Sequence, residues 1–279
     1  MNEYKPLIIE DDIYTASSHD ELTHWHNCFE IIEVLDGSFQ CHVDGDSFVV
    51  KKGNLCIINR GHMHRILNEK DPQQCRKKAL IFNPDFFIKD KDIYTRYIRP
   101  LLQDRAFSHI QFAMNSGIGL DLFSFIKQLE VLYKERPVGF EMESYGLIYM
   151  IIRRLYLAYA MHQDHFQSSF DENIQIQRKM TTYIYKQYAN KIALDDIADA
   201  GQISRSTCIR LFKKYTGKSP VDFLNSYRLE RSIELLLTTN QQVTEISYAC
   251  GFNQPSYFNR LFLKEYQMTP NQYRKENKH

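Results

Sequence analysis

Between residues 28 and 82 the apolar positions come in short runs, at 29–35, 38–43, 47–50, 55–58 and 79–82. They are separated by Asp36-Gly37, Asp44-Gly45, Lys52-Gly53 and Arg60-Gly61. Such dipeptides tolerate positive φ and mark tight hairpins, so the pattern predicts several short strands closing as a barrel or sandwich, with Pro84 ending the region. From Asp92 onward the period becomes helical. Leu122, Phe125, Ile126, Leu129 and Leu132 share one face, as do Leu147, Met150, Ile151, Arg154, Leu155 and Ala158. These two stripes fit either a helical cover for the β region or a contact with a second subunit. A polar stretch at 162–173, holding His162 and His165, reads as a linker with no ligand role for either histidine.

The remainder is helical and carries an internal repeat. Ile197 and Ala200 recur as Ile246 and Ala249, 49 residues later. After one inserted residue, Ser206, Arg210, Leu211, Phe212, Lys214 and Pro220 recur 50 residues later as Ser256, Arg260, Leu261, Phe262, Lys264 and Pro270. Each copy reads as a short helix, a tight turn and a longer helix. In the first, Gly201 is expected to end the short helix in a left-handed conformation, and Ser204 to cap the next one. Gly251 and Asn253 are expected to play those parts in the second copy, with Pro255 in the first helical turn. Residues 220–238 read as one continuous helix. Nineteen residues at ~1.5 Å each span roughly 28 Å, near the ~34 Å between successive turns of major groove.

The longer helix of each copy buries its Leu-Phe pair. The opposite face carries Arg205, Ser206, Ile209, Arg210 and Lys213 in the first, and Ser256, Asn259, Arg260 and Lys264 in the second. Small polar residues with arginine suit a major groove, where a guanidinium bonds guanine O6 and N7 together.

Charge supports this partition. Residues 172–279 hold 16 Lys+Arg against 10 Asp+Glu, whereas the first 171 hold 19 against 24, so a net +1 conceals a basic third joined to an acidic remainder. The polar, acidic start predicts no signal peptide, and the most apolar stretch, 147–161, has Arg153 and Arg154 at its middle, too short and too charged for a membrane span. Six scattered cysteines without a C-x-x-C pair read as thiols in a reducing, cytoplasmic setting.

The segments 194–220, 227–230 and 246–274, with Gly251-Phe252, Ser256-Tyr257-Phe258, Pro270 and Tyr273-Arg274, resemble the double helix-turn-helix of AraC/XylS regulators. The resemblance implies that Ser206, Ile209 and Arg210, then Pro255, Ser256, Asn259 and Arg260, hold base-facing positions. It also implies a partner in RNA polymerase, as an activator. Ile209 and Pro255 depart from the usual polar readers, and Gln267 stands where the family has glycine, as Gly217 does in the first copy, so the end of the second long helix is expected to be irregular.

In the β region, His24-Trp25-His26, then Glu30, then Gly37, together with Gly53, Asn59-Arg60-Gly61, His64 and Asn68, resemble the two cupin motifs, Asn59 replacing a proline. Strand alternation would place His24, His26 and Glu30 on one face, with His64 arriving from a neighbouring strand. The favoured reading is a metal-free, cofactor-free site in which His24, Trp25, His26, Glu30 and His64 capture a small polar effector such as a sugar. The alternative is a divalent-metal site of a cupin enzyme with a helical appendage. The cluster Arg76-Lys77-Lys78 reads as a solvated face.

The expected molecule is α+β. It comprises a cupin-like effector-binding barrel (1–90), a helical dimerisation segment and linker (91–171), and a DNA-binding domain (172–279) with helix-turn-helix units at about 194–216 and 243–265. It is a homodimeric transcription regulator of double-stranded DNA, not an enzyme.

Overall fold

The computed structural model describes residues 7–14, 22–68, 75–104, 106–115, 117–162 and 172–277. The chain forms two compact units: residues 1–20 with 25–170, and residues 21–24 with 171–279. Most of the 162–173 linker, His165 included, lies outside the described residues.

The first unit is built from eight strands: β1 Leu7–Tyr14, β2 Phe29–Asp36, β3 Ser38–Val43, β4 Asp46–Lys51, β5 Asn54–Ile58, β6 His64–Asn68, β7 Cys75–Phe82 and β8 His109–Ala113. They make two antiparallel sheets, ordered β1-β7-β2-β5-β8 and β4-β3-β6. The Asp44-Gly45 turn has both residues at positive φ (49° and 100°), as a two-residue hairpin of matching twist requires.

β2 is buried along six consecutive residues because both its faces are covered. Ile32 and Val34 join Phe39, Cys41, Val50, Cys56, Ile58 and Ile66 in the core between the sheets. Phe29 and Ile31 face the other way, into a second core shared with the helices that follow.

Those helices are α1 Pro84–Phe87, α2 Lys91–Ile93, α3 Arg99–Gln103, α4 Gly117–Glu135 and α5 Phe140–His162, with a π-helical turn at Tyr94–Ile98. Pro84 opens α1 at its first position, behind Asn83, whose side chain accepts from the Asp85 N–H.

Four expectations need correction here. β1 and β6 belong to the sheets although their sequences do not announce them, and β8 interrupts the region expected to be helical from Asp92, returning to pair with β5. The apolar stripes of α4 and α5 meet each other and the five-stranded sheet: Leu122, Leu129, Ile151 and Leu155 are all fully buried within the chain. Those four positions are therefore closed to a second subunit, whereas Met150 of the α5 stripe is exposed. Lys77 is buried rather than solvated, because β7 alternation turns it, with Cys75 and Ala79, away from the exposed Arg76; Lys78 pairs with Glu130 at 2.9 Å.

The second unit contains α6 Glu172–Gln187, α7 Leu194–Ala200, α8 Arg205–Thr216, α9 Pro220–Thr238, α10 Val243–Ala249, α11 Pro255–Tyr266 and α12 Pro270–Asn277. The offsets of the sequence repeat reappear: α10 starts 49 residues after α7, and α11 starts 50 after α8. Each copy has its own small core. Ile197, Cys208, Leu211, Phe212 and Phe223 form the first, and Leu229, Leu236, Ile246, Phe258 and Phe262 the second, with the continuous α9 contributing to both. Between the cores the buried Arg228 donates from Nε to the Tyr188 carbonyl and from Nη2 to the Asn190 carbonyl, each at 2.8 Å.

Candidate nucleic-acid interface and the buried histidine–carboxylate cluster

The turns that aim α8 and α11 differ in detail. Gly201 ends α7 with φ −86°, and the left-handed residue is its neighbour Gln202 (φ 56°). Glycine at 201 serves close packing instead, since a Cβ there would sit 2.9 Å from Met180 Cγ. Gly251 does adopt φ +83°, and a Cβ would come within 2.4 Å of the Tyr188 carbonyl oxygen. Ser204 caps α8 as expected, accepting from the Thr207 N–H at 3.3 Å. Gln254, not Asn253, stands at the N-cap of α11, which begins at Pro255 without a side-chain cap bond among the described residues. Pro255 needs none of the missing help at its own nitrogen, which carries no N–H.

Both long helices then present the same kind of face. Arg205, Ser206, Ile209, Arg210 and Lys213 are exposed along α8, as are Ser256, Asn259, Arg260 and Lys264 along α11, while Pro255 is half-buried. Beneath them Cys208, Leu211, Phe212, Phe258 and Phe262 are fully buried, so neither helix can rotate about its axis without exposing its core.

The exposed side chains are not equally available. Arg205 is held by a two-pronged ion pair with Asp195 of α7, which also keeps the Asp195 carboxyl below its ordinary pKa. Lys213 donates to the Gly217 carbonyl at 3.0 Å at the end of its own helix. Arg260 lies over the Tyr257 ring, 5.3 Å from its centroid. Arg210 is engaged by no side chain among the described residues. The Asp195–Arg205 pair was not foreseen, although an acid on the first helix and a base opening the second are both visible in the sequence.

In the first unit, three of the singled-out residues converge from different places. Glu30 points inward from β2, His64 opens β6 in the other sheet, and His26 precedes β2 on an irregular segment rather than on a strand. One carboxylate oxygen, Glu30 Oε2, lies 3.0 Å from His64 Nε2 and 3.2 Å from His26 Nε2. Each imidazole is held from behind. His64 Nδ1 donates to the His62 carbonyl at 2.8 Å, while His26 Nδ1 lies 3.1 Å from the Cys28 carbonyl and 3.3 Å from the Cys28 N–H, which can donate to it. The loop itself is fastened by the Gly61 N–H, which donates to the His26 carbonyl at 2.7 Å.

Glu30 and His64 are buried and His26 nearly so. Burial works to lower the His26 pKa, but the hydrogen bonds to Cys28 and Glu30 win and push it up to about 10. Burial works the opposite way on Glu30, and its two imidazole partners hold it well below the ordinary carboxylate range. Trp25 is half-buried, and its indole N–H is buried with no hydrogen-bond partner among the described residues. His24 groups with the second unit, its Nδ1 lying 2.9 Å from the Leu22 carbonyl.

Comparison with known proteins agrees with both halves. Residues 8–116 match the AraC-like ligand binding domain, and residues 197–276 match a helix-turn-helix domain. The chain belongs to the AraC family: it is a transcription regulator with a cupin-like, ligand-binding N-terminal domain and a DNA-binding helix-turn-helix domain. It is 29% identical over 258 residues to the HTH-type transcriptional regulator YdeC of Bacillus subtilis, covering 91% of this chain and 86% of that one. It is 22% identical over 273 residues to the HTH-type transcriptional activator RhaS of Enterobacter sp. (strain 638), covering 97% and 92%. Among solved structures it resembles ToxT of Vibrio cholerae O395, with a TM-score of 0.54 at 14% identity over 97% of this chain and 99% of that one, a likeness of fold. No helix among the described residues is long and apolar enough to cross a membrane.

Proposed function

We propose that this chain is a cytoplasmic, effector-responsive activator, without enzymatic turnover, that reads DNA through α8 and α11 and works as a homodimer touching RNA polymerase. The observation that carries the DNA reading is the duplicated exposed face: two helices with equivalent arginines, each locked by its own buried Phe and joined through one rigid helix. Arg210 and Arg260 are the base readers, with Ser206, Ile209, Pro255, Ser256 and Asn259 beside them. Lys213 and Lys264 meet phosphate, and Arg205, clamped by Asp195, positions the entry of α8 as well as contacting the backbone of the duplex. The relative named an activator, RhaS, supports the sign of regulation.

The effector reading rests on the polar groups Glu30, His26, His64 and the unpartnered Trp25 N–H, with His24 two residues before His26 in the chain. Such a set suits a small polar molecule, a sugar among them. Binding acts by favouring one of two placements of sensor and DNA modules. For dimerisation, the burial of Leu129 and Ile151 moves the proposed contact to the outer face of α5, where Met142, Met150, Leu157 and Met161 are exposed.

Binding of alanine variants to a library of single-base operator changes tests the assignment of readers. Arg210→Ala is expected to cost ~1–3 kcal/mol and to relax preference at one base position. Lys264→Ala is expected to weaken all sequences alike. A uniform loss for Arg210→Ala, with no position relaxed, would remove it from the readers.

A further inference from the structure

Two acids stand side by side at the start of α7, and only one of them builds the helix. Asp196 Oδ2 accepts from the Ala193 N–H at 2.7 Å, and the second copy repeats that bond, with Glu245 Oε2 accepting from the Gln242 N–H at 2.7 Å. Asp195 takes no part in that cap. Both its oxygens go instead to Arg205, the first residue of α8, a helix already capped by Ser204. The second copy lacks the chemistry for such a pair: the equivalent positions, 49 and 50 residues on, hold Thr244 and Pro255. The Arg205 side chain is 66% exposed and that of Asp195 49%, and an exposed ion pair adds little to stability. The fold of the helical unit therefore does not account for it.

The atoms used decide what is left. Asp195 takes Nε and Nη2, the side-on edge of the guanidinium. One N–H on Nη1 and one on Nη2 remain parallel on the end-on edge, spaced to meet two oxygens of a phosphate. Unclamped, a long exposed arginine would sample many rotamers and settle on whichever phosphate is near. Held at α7, the helix that crosses the backbone in this motif, it offers its free edge from one place. The carboxylate also cancels the charge of Arg205 at longer range. The pair therefore adds little to the indiscriminate attraction between a basic surface and any duplex.

We infer that Asp195 is a positioning residue that determines specificity: it fixes Arg205 as a two-pronged contact to one backbone phosphate while withholding a free positive charge from other sequences. A phosphate contact carries no sequence information of its own, but it sets the register in which Arg210 meets a base edge. Resting on the DNA reading above, this role makes the two long helices unequal. α8 enters the groove pinned by Asp195 and Arg205. α11, with Thr244 and Pro255 at those places, has no such pin and follows it.

The test uses the full chain and two probes: the duplex that the wild type enriches from a randomised pool, and the unselected pool at the same length. Removing an acid from a DNA-binding face should, by charge alone, strengthen binding to both. For Asp195→Asn a split is expected instead. Binding to the pool tightens, and the ratio of enriched to pool affinity falls by about tenfold, the size of one charge-assisted hydrogen bond. In an Arg205→Ala background the same substitution should leave the ratio unchanged, because Asp195 acts through Arg205. Thermal unfolding of Asp195→Asn should match the wild type, since Asp196 keeps the cap. A ratio unaltered by Asp195→Asn, a ratio lowered equally with and without Arg205, or a lowered unfolding midpoint would overturn the role. A wild type that enriches no sequence would overturn the DNA reading itself, and this role with it.

Discussion

Gln267 is the residue where local chemistry and backbone disagree. It caps α11 at φ 54°, the left-handed position that Gly217 fills at φ 70° at the end of α8. The expected irregular end does not occur: the Gln267 N–H still donates to the Leu263 carbonyl at 2.9 Å. A non-glycine residue held left-handed costs ~1–2 kcal/mol, in part repaid here by Gln267 Nε2 donating to the Lys264 carbonyl at 2.8 Å. Gln267→Gly should therefore stabilise the helical unit by about 0.5–1 kcal/mol, read as a higher denaturant midpoint. A lower midpoint would mean that the side-chain bond outweighs the backbone strain. Residue-level reading was sound for Ser204 and Pro255, whose roles follow from their own chemistry. It failed for Gly201, because the reason for that glycine is Met180, a neighbour in space that no local pattern reveals.

At the scale of elements, periodicity located α9 to the residue and α8 and α11 closely, since long amphipathic helices advertise their buried side. It could not say what that side buries against. The stripes of α4 and α5 read equally as an interface or as a cover, and the structure shows a cover for the five-stranded sheet. Leu129→Glu should accordingly destabilise the barrel unit, placing a charge in a fully buried position, rather than yield a folded monomer. Thermal unfolding together with light scattering checks this, and a folded, monomeric variant would contradict it. Short strands were harder to see. β8 lies between helices and β6 carries His64 and Arg65 among few apolar residues, so neither makes a recognisable run. Of the cluster around Glu30, the residue types were legible from their spacing. The role of His26 was not, because it reaches Glu30 from an irregular lead-in held by the Gly61 N–H rather than by strand alternation.

At the scale of the whole molecule, the chain joins an acidic ligand-binding part to a basic DNA-binding part, with 16 Lys+Arg against 10 Asp+Glu in residues 172–279. The central claim is that both long helices of this family member engage one duplex, which requires phosphate contacts from two faces. The most direct measurement is the affinity of the full chain for its DNA as a function of salt, for the wild type and for Lys213→Ala and Lys264→Ala. Each phosphate contact contributes about −0.9 to the slope of log affinity against log salt, so each variant should flatten the slope by about one unit, the pair by about two. A slope left unchanged by Lys264→Ala while Lys213→Ala flattens it would mean that α11 stays off the DNA, and would contradict the two-helix account.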